Sequence, residues 1–230
     1  MKALLFDAGP IISLTTNSLL WLIEPLKQKF GGEFYITEGV RKELVERPLQ
    51  TKKFKFEALQ VEHLIETNVI KLIKSRQVFE KAKHLLGLAN DIFHVRNHAL
   101  SVLQLGELET LAAAKMMGIQ YVAVDERITR LLLENPGQME QLLERKLHAD
   151  VRVDTGKLTQ LHHETEGIKL IRSTELVTMA FELGLLDKYL AEIPDAKKQL
   201  LQAVLWGVKL NGCSISQEDI DEIVALELGR

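Results

Sequence analysis

Cysteine is nearly missing from this chain. Cys213 is the only one in 230 residues, which excludes an intrachain disulfide framework and points to a reducing, cytoplasmic compartment. Aromatic residues are scarce too, at 6%, so the core must be built mainly from Leu, Ile, Val and Ala. No apolar run reaches the roughly 20 residues that a membrane-spanning helix needs, and the N-terminus opens on a strand pattern rather than a signal-peptide layout. Basic charge is not in excess: the formal net charge is −3 and the pI about 6.2. That excludes bulk electrostatic capture of nucleic acid but leaves room for a local basic rim. The phosphate-cradling patterns GxxxxGK[ST] and GxGxxG do not occur. No cysteine pair or HExxH accompanies His94, His98, His162 and His163, so a zinc site is excluded. A Ser/His/Asp triad has no nucleophile elbow to support it.

The composition that remains, 46% hydrophobic and 27% charged, is that of an ordinary globular chain long enough for one large domain with an extension. Strand and helix patterns alternate, which predicts an α/β fold around a parallel sheet. Residues 2–6 form a short apolar run, as in a central strand covered on both faces. They lead into Asp7 and the turn Ala8-Gly9-Pro10, with Pro10 suited to a first helical turn. Helical segments follow to about residue 29, broken near Asn17. EFYI is a second strand, and Thr37 is an N-cap for a helix that carries Glu43. Residues 51–66 and 75–87 read as helices around a short strand in NVIKLIK. Residues 88–104 read as an ordered loop or hairpin.

The stretch at 106–126, GELETLAAAKMMGIQYVAVDE, organises the rest. It gives an acidic helix start with Glu107 and Glu109, a turn at Gly118, a strand, and the pair Asp125-Glu126. Helices are expected at 126–134, stopped by Asn135-Pro136-Gly137, and at 138–147 and 154–164. VRV is extended, IKLIRS is the last sheet strand, Thr174 caps the next helix, and 195–209 and 216–228 are amphipathic helices, the last capped by Ser216.

Four acidic positions stand out: Asp7, Glu43, Glu107 or Glu109, and Asp125. Ligand sites in open α/β sheets lie beyond the carboxyl ends of strands, which is where Asp7 and Asp125 fall. Crowded carboxylates repel one another unless a cation neutralises them, and magnesium and manganese prefer such oxygen donors. A bound divalent ion can turn water into a nucleophile and clamp the oxygens of a phosphodiester. The plainer explanation is that each acid is a helix N-terminal charge favoured by the macrodipole, and Glu126 fits that description best. Glu107 and Glu109 point to different helix faces, and Gly106 favours Glu107 slightly. Residues 41–55 hold six Lys or Arg against two Glu, a rim for phosphates or a solvated helix face. GGEF at 31–34 is too short to carry a cyclase reading, and FDAG lacks the acid two residues after Asp7 that a haloacid-dehalogenase reading requires. Cys213 reads as a small buried hydrophobe.

In order along the chain, LLFDAGPIISL, YITEGVRKELVE, GELETLAAAKMMG and YVAVDERITRLL resemble the successive motifs of PIN-domain proteins. The likeness is to the larger prokaryotic, especially archaeal, members. STELVTMAFELGLLDKYL and the segments after it resemble the tail of one subgroup. The resemblance implies a three-layer PIN-like sandwich over residues 1–172, with insertions near 51–104 and 135–165, and a helical C-terminal extension at 173–230. It implies a Mg²⁺- or Mn²⁺-dependent endoribonuclease with Asp7, Glu43, Glu107 and Asp125 as the catalytic, metal-binding quartet and Glu109 as the alternate. Arg47, Lys52 and Lys53 would hold the RNA backbone. Many family members carry Thr or Ser just after the first acid. Ala8 and Gly9 stand there instead, so Ser13 or Thr37 is expected to supply the hydroxyl. The alternative is a catalytically weak or inactive RNA-binding or assembly module on the same fold; an α/β nucleotide phosphohydrolase is a further rival. The apolar faces of the tail suit a homodimer, and the insertions weigh against a plain toxin paired with a small antitoxin.

Overall fold

A computed structural model describes residues 2–229. Its first strand, β1 (Ala3–Phe6), is buried along its whole length. Asp7, in extended conformation, caps α1 (Ala8–Thr16), which ends at Asn17. A 3-10 turn (Leu20–Leu22) and α2 (Ile23–Phe30) bring the chain to β2 (Glu33–Thr37). The Thr37 hydroxyl accepts from the Val40 amide and starts α3 (Glu38–Arg41). That helix widens into a π-turn at Lys42–Glu46 and closes as α4 (Arg47–Leu49). Next come α5 (Lys55–Glu66), β3 (Lys71–Ile73) and α6 (Arg76–Ala89), the last capped by Ser75. The hairpin β4 (Phe93–Val95) and β5 (His98–Ala99) precedes α7 (Leu105–Met117) and β6 (Tyr121–Ala123). The chain continues through α8 (Arg127–Glu134), α9 (Pro136–Leu147), β7 (Arg152–Val153), α10 (Thr155–Thr165) and β8 (Lys169–Ile171). It ends with α11 (Ser173–Glu182), α12 (Ala196–Leu210) and α13 (Gln217–Leu228).

The central sheet has five parallel strands in the order β3-β2-β1-β6-β8. From β1 the chain builds outward on one side through β2 and β3, then returns to lay β6 against the other side of β1. The strand order therefore reverses between β1 and β6, and the carboxyl ends at such a switch point form the crevice where open α/β sheets bind ligands.

Side chains alternate across the sheet with a period of two. Leu4, Phe6, Phe34 and Ile36 face a core shared with α1, α2, α11, α12 and α13. Ala3, Leu5 and Val122 face a second core with α6, α7 and the helices after β6. Helices thus cover both faces, as an all-parallel sheet requires. Each fully buried Leu or Phe contributes roughly 1.5–3 kcal/mol by leaving water. On α7, Ala112, Ala113 and Ala114 are fully buried, and their small size lets that helix seat deeply with its acidic first turn at the crevice. Gly118 ends it in the left-handed region, at φ 65°, which glycine adopts without steric cost.

Several sequence expectations shift in detail. Residues 51–54 form a bend rather than a helical turn, because Phe54 adopts φ 64° and α5 starts only at Lys55. Thr174 is not a cap: Arg172 takes that position and Glu175 bonds back to its amide. Pro136 starts α9 earlier than expected, with the Asn135 side chain accepting from the Gln138 amide. Residues 88–104 contain the hairpin, and VRV joins it in a small antiparallel sheet ordered β5-β4-β7. Residues 173–228 share the core of β1 and α1, through Leu176, Val177, Leu205 and Ile220. Among the described residues no helix is long and apolar enough to cross a membrane.

Candidate functional site

Asp7 and Asp125 follow the two strands that flank the crevice. The Asp7 amide continues the sheet ladder by donating to the Ala123 carbonyl at 2.9 Å. Its carboxyl is 7% exposed and is pushed up to about 7, first by burial and then by Glu43 and Asp125, against the lowering effect of the Ala8 and Gly9 amides. Those amides belong to the first turn of α1, so Asp7 sits at a helix N-terminus. The helix end favours the anion, but burial outweighs it.

Glu107 lies in the first turn of α7, and its Oε2 accepts from the Gln104 amide at 2.8 Å. Its carboxyl is also pushed up to about 7, by burial first, then by Asp7, Glu126 and Glu43. Glu43 is exposed on the π-turn, a helical irregularity frequent at functional sites. It raises both Asp7 and Glu107, so it lies within electrostatic reach of both. All four predicted acids therefore share one electrostatic neighbourhood, Asp125 through its effect on Asp7.

Asp125, the fourth, is 2% exposed and turned into the protein. Its Oδ2 accepts from the Ser13 hydroxyl at 2.6 Å and its Oδ1 from the Ser173 amide at 2.7 Å. Its carbonyl accepts from the Ser214 amide at 3.3 Å. One side chain thus ties α1 and α11 to the end of β6. The Ser13 hydroxyl is thus committed to Asp125. At Gly9 a Cβ would lie 3.2 Å from the Asp125 Cβ, closer than nearly all real contacts of that kind.

Glu109 points elsewhere. Its Oε1 accepts from the Gly39 amide at 3.3 Å. Burial raises its carboxyl, against the Gly39 amide, and its other neighbours are Glu38, Lys42 and Thr37. The two-residue spacing places it at the start of α3, where it braces the β2–α3 turn, while Glu107 faces Asp7.

The sequence reading gave Glu126 only a helical role. Glu126 does cap α8, accepting from the Thr129 amide at 2.6 Å, and it also raises Glu107. The signal available beforehand was the Asp-Glu pair directly after a strand. Cys213 is 3% exposed, and burial pushes its thiol up to about 11, with Asp125 adding to the shift. It is therefore a buried apolar wall beside Asp125, with almost no thiolate.

The donor set was tested for a divalent ion. Among the described residues, no three His, Cys, Asp or Glu side chains converge closely enough to hold a metal by themselves. Magnesium does not require this: it keeps several waters and uses one or two carboxylates. Asp7 and Glu107 are carboxyls of that kind: burial and other acids raise each, and neither has a basic partner among the causes of its shift.

Of the basic residues, Arg41 is committed to Glu62 at 2.6 Å and Glu46 at 2.7 Å. Arg47, Lys52 and Lys53 are exposed, with the Lys53 ammonium 4.5 Å from the centre of the Phe54 ring. The chain matches no protein-family model, no curated protein and no solved structure.

Proposed function

We propose that this chain is a PIN-like, Mg²⁺- or Mn²⁺-dependent endoribonuclease. One observation carries the reading most of all. Asp7, at the end of β1, and Glu107, in the first turn of α7, are remote in sequence yet within electrostatic reach of one another, and each is pushed up to about 7 by burial and neighbouring acids. Holding carboxyls together in this way costs stability at neutral pH, and a cation would offset that cost. The parallel central sheet agrees with the fold expected from the sequence, and the grouping of Asp7, Glu43, Glu107 and Asp125 as a quartet is taken from the resemblance in sequence.

In this reading Asp7 and Glu107 would hold the ion, and Glu43, on the exposed π-turn, would add negative charge beside it. When bound, the ion supplies a deprotonated water and neutralises charge on the phosphodiester. Asp125 acts as a positioning residue: through Ser13 and Ser173 it fixes α1, and with it the Asp7 carboxyl. Arg47, Lys52 and Lys53 hold the RNA backbone. Their exposure lets the strand reach them without displacing ion pairs.

A second reading, an RNA-binding or assembly module without catalysis, draws on two observations. Asp125 already has a protein donor on each oxygen, and no three-acid metal group forms among the described residues. One experiment separates the two. Mn²⁺ is titrated into the protein and cleavage of single-stranded RNA is followed for wild type, Asp7→Asn, Glu107→Gln and Glu109→Gln. The nuclease reading expects loss of cleavage in the first two variants and retention in the third. Metal binding without Asp7-dependent cleavage would favour the second reading.

A further inference from the structure

Beside Asp125, on the flank away from β1, a pocket of about 310 Å³ is lined by Arg127, Arg130 and Arg172 together with Ser214, Ser216 and Gln138. We infer that this pocket binds a phosphate group. Three guanidinium groups around one cavity are an unusual concentration for a chain of net charge −3, and their planar forks suit phosphate oxygens. Two are held partly buried. The Arg130 and Arg172 side chains are 20% and 19% exposed. Arg130 is fixed by the Ser214 carbonyl at 3.2 Å, and Arg172 by Glu175 at 2.7 Å. Arg127 is exposed and makes no hydrogen bond or ion pair among the described residues.

The arginines also stand where local electrostatics would not place them. Arg127 is the first residue of α8 and Arg172 is the N-cap of α11, at the positive ends of helices where a cation is disfavoured. Ser216, the N-cap of α13, lines the same pocket, so three helix starts and three cations surround one space. Local conflicts of this kind are expected at functional sites, and an anion in the pocket would resolve this one. Glu134 and Asp219 also line it. Glu134 lies 3.4 Å from Arg130 and Asp219 is occupied with the α13 cap, so of the three arginines lining the pocket Arg127 is the one left without an ion pair among the described residues.

The loop carrying Ser214 and Ser216 belongs to the C-terminal helices, which gives that extension a part in the site. As a subsite for an RNA strand leaving the acidic crevice, the assignment rests on the nuclease reading; as a phosphate site it does not. Binding is therefore measured without divalent metal, in EDTA, on the full chain. The probes are a fluorescent single-stranded oligoribonucleotide with a 5′-phosphate or 5′-hydroxyl, and inorganic phosphate as competitor.

Arg127→Glu is expected to weaken binding about tenfold or more, as loss of a charge-assisted contact does. It should also flatten the slope of log affinity against log salt by about 0.7, the value for one contact on a single strand. Arg127→Lys should keep the salt slope, because the charge stays, and lose part of the affinity, because the fork goes; circular dichroism should show all variants folded, since Arg127 is exposed and makes no hydrogen bond or ion pair among the described residues. A preference for the 5′-phosphate would assign the terminal group, equal binding of both ends an internal phosphate, and binding of inorganic phosphate alone a free anion. Arg127→Glu binding every probe like wild type, or wild type binding none, would overturn the inference. Asp7-dependent cleavage with normal binding by Arg127→Glu removes the subsite and keeps the nuclease. Binding lost in Arg127→Glu from a protein that never cleaves does the reverse.

Discussion

Replacing Asp7 with Asn should stabilise the metal-free protein at alkaline pH. Asp7 is 7% exposed, and its carboxyl titrates near 7 in the folded chain against 3.8 when unfolded. Between those values the native state holds a proton that the unfolded state has released. The protonated carboxyl's contribution is therefore complete below about pH 4 and is lost as the pH rises through about 7. A difference of about 3 in pKa corresponds to roughly 4 kcal/mol at full ionisation. Asn keeps the shape and the capping ability of the side chain but carries no charge to desolvate. The variant should match wild type near pH 4 and exceed it by up to about 4 kcal/mol at pH 8. Urea unfolding in EDTA at the two pH values measures the difference. Mn²⁺ at pH 8 should then stabilise wild type and leave Asp7→Asn unmoved, since a ligand stabilises only the state it binds. A gap between the two proteins that is the same at both pH values would refute the electrostatic argument.

Two further predictions concern what surrounds that carboxylate. Ser13→Ala removes the donor 2.6 Å from the Asp125 Oδ2 and should cost about 1–3 kcal/mol in chemical denaturation, the range for an unsatisfied buried group, with a drop in any cleavage activity. Gly39→Ala would put a Cβ 2.4 Å from the Glu109 Oε2 and should destabilise by about 1–3 kcal/mol, as overpacking does. Adding Glu109→Ala should recover part of that loss in a double-mutant cycle.

Much of the architecture was legible because it rests on local signals. Apolar runs at 3–6 and 33–37 alternate buried faces and became adjacent parallel strands. Thr37 and Ser216 cap the helices after them, because each hydroxyl can accept from an amide three residues on. The starts of α9 and α11 rest on local caps that the sequence reading passed over, Asn135 accepting from the Gln138 amide and Glu175 from the Arg172 amide, and that of α5 follows the left-handed Phe54. Residues 88–104 left loop and hairpin open, because β4 is completed only by β7, more than fifty residues away.

Residue types and spacing along the chain were enough to mark the acids that follow buried strands and to narrow the glutamate choice to Glu107 and Glu109. Only the folded chain separated those two, since which face of α7 meets Asp7 depends on how the alanine-rich helix seats against the sheet. The tertiary structure also turned both oxygens of Asp125 toward Ser13 and Ser173, and gathered Arg127, Arg130 and Arg172 into one pocket. Such pairings join positions up to 112 residues apart. No periodicity encodes contacts of that kind; they exist only once burial has brought the elements together.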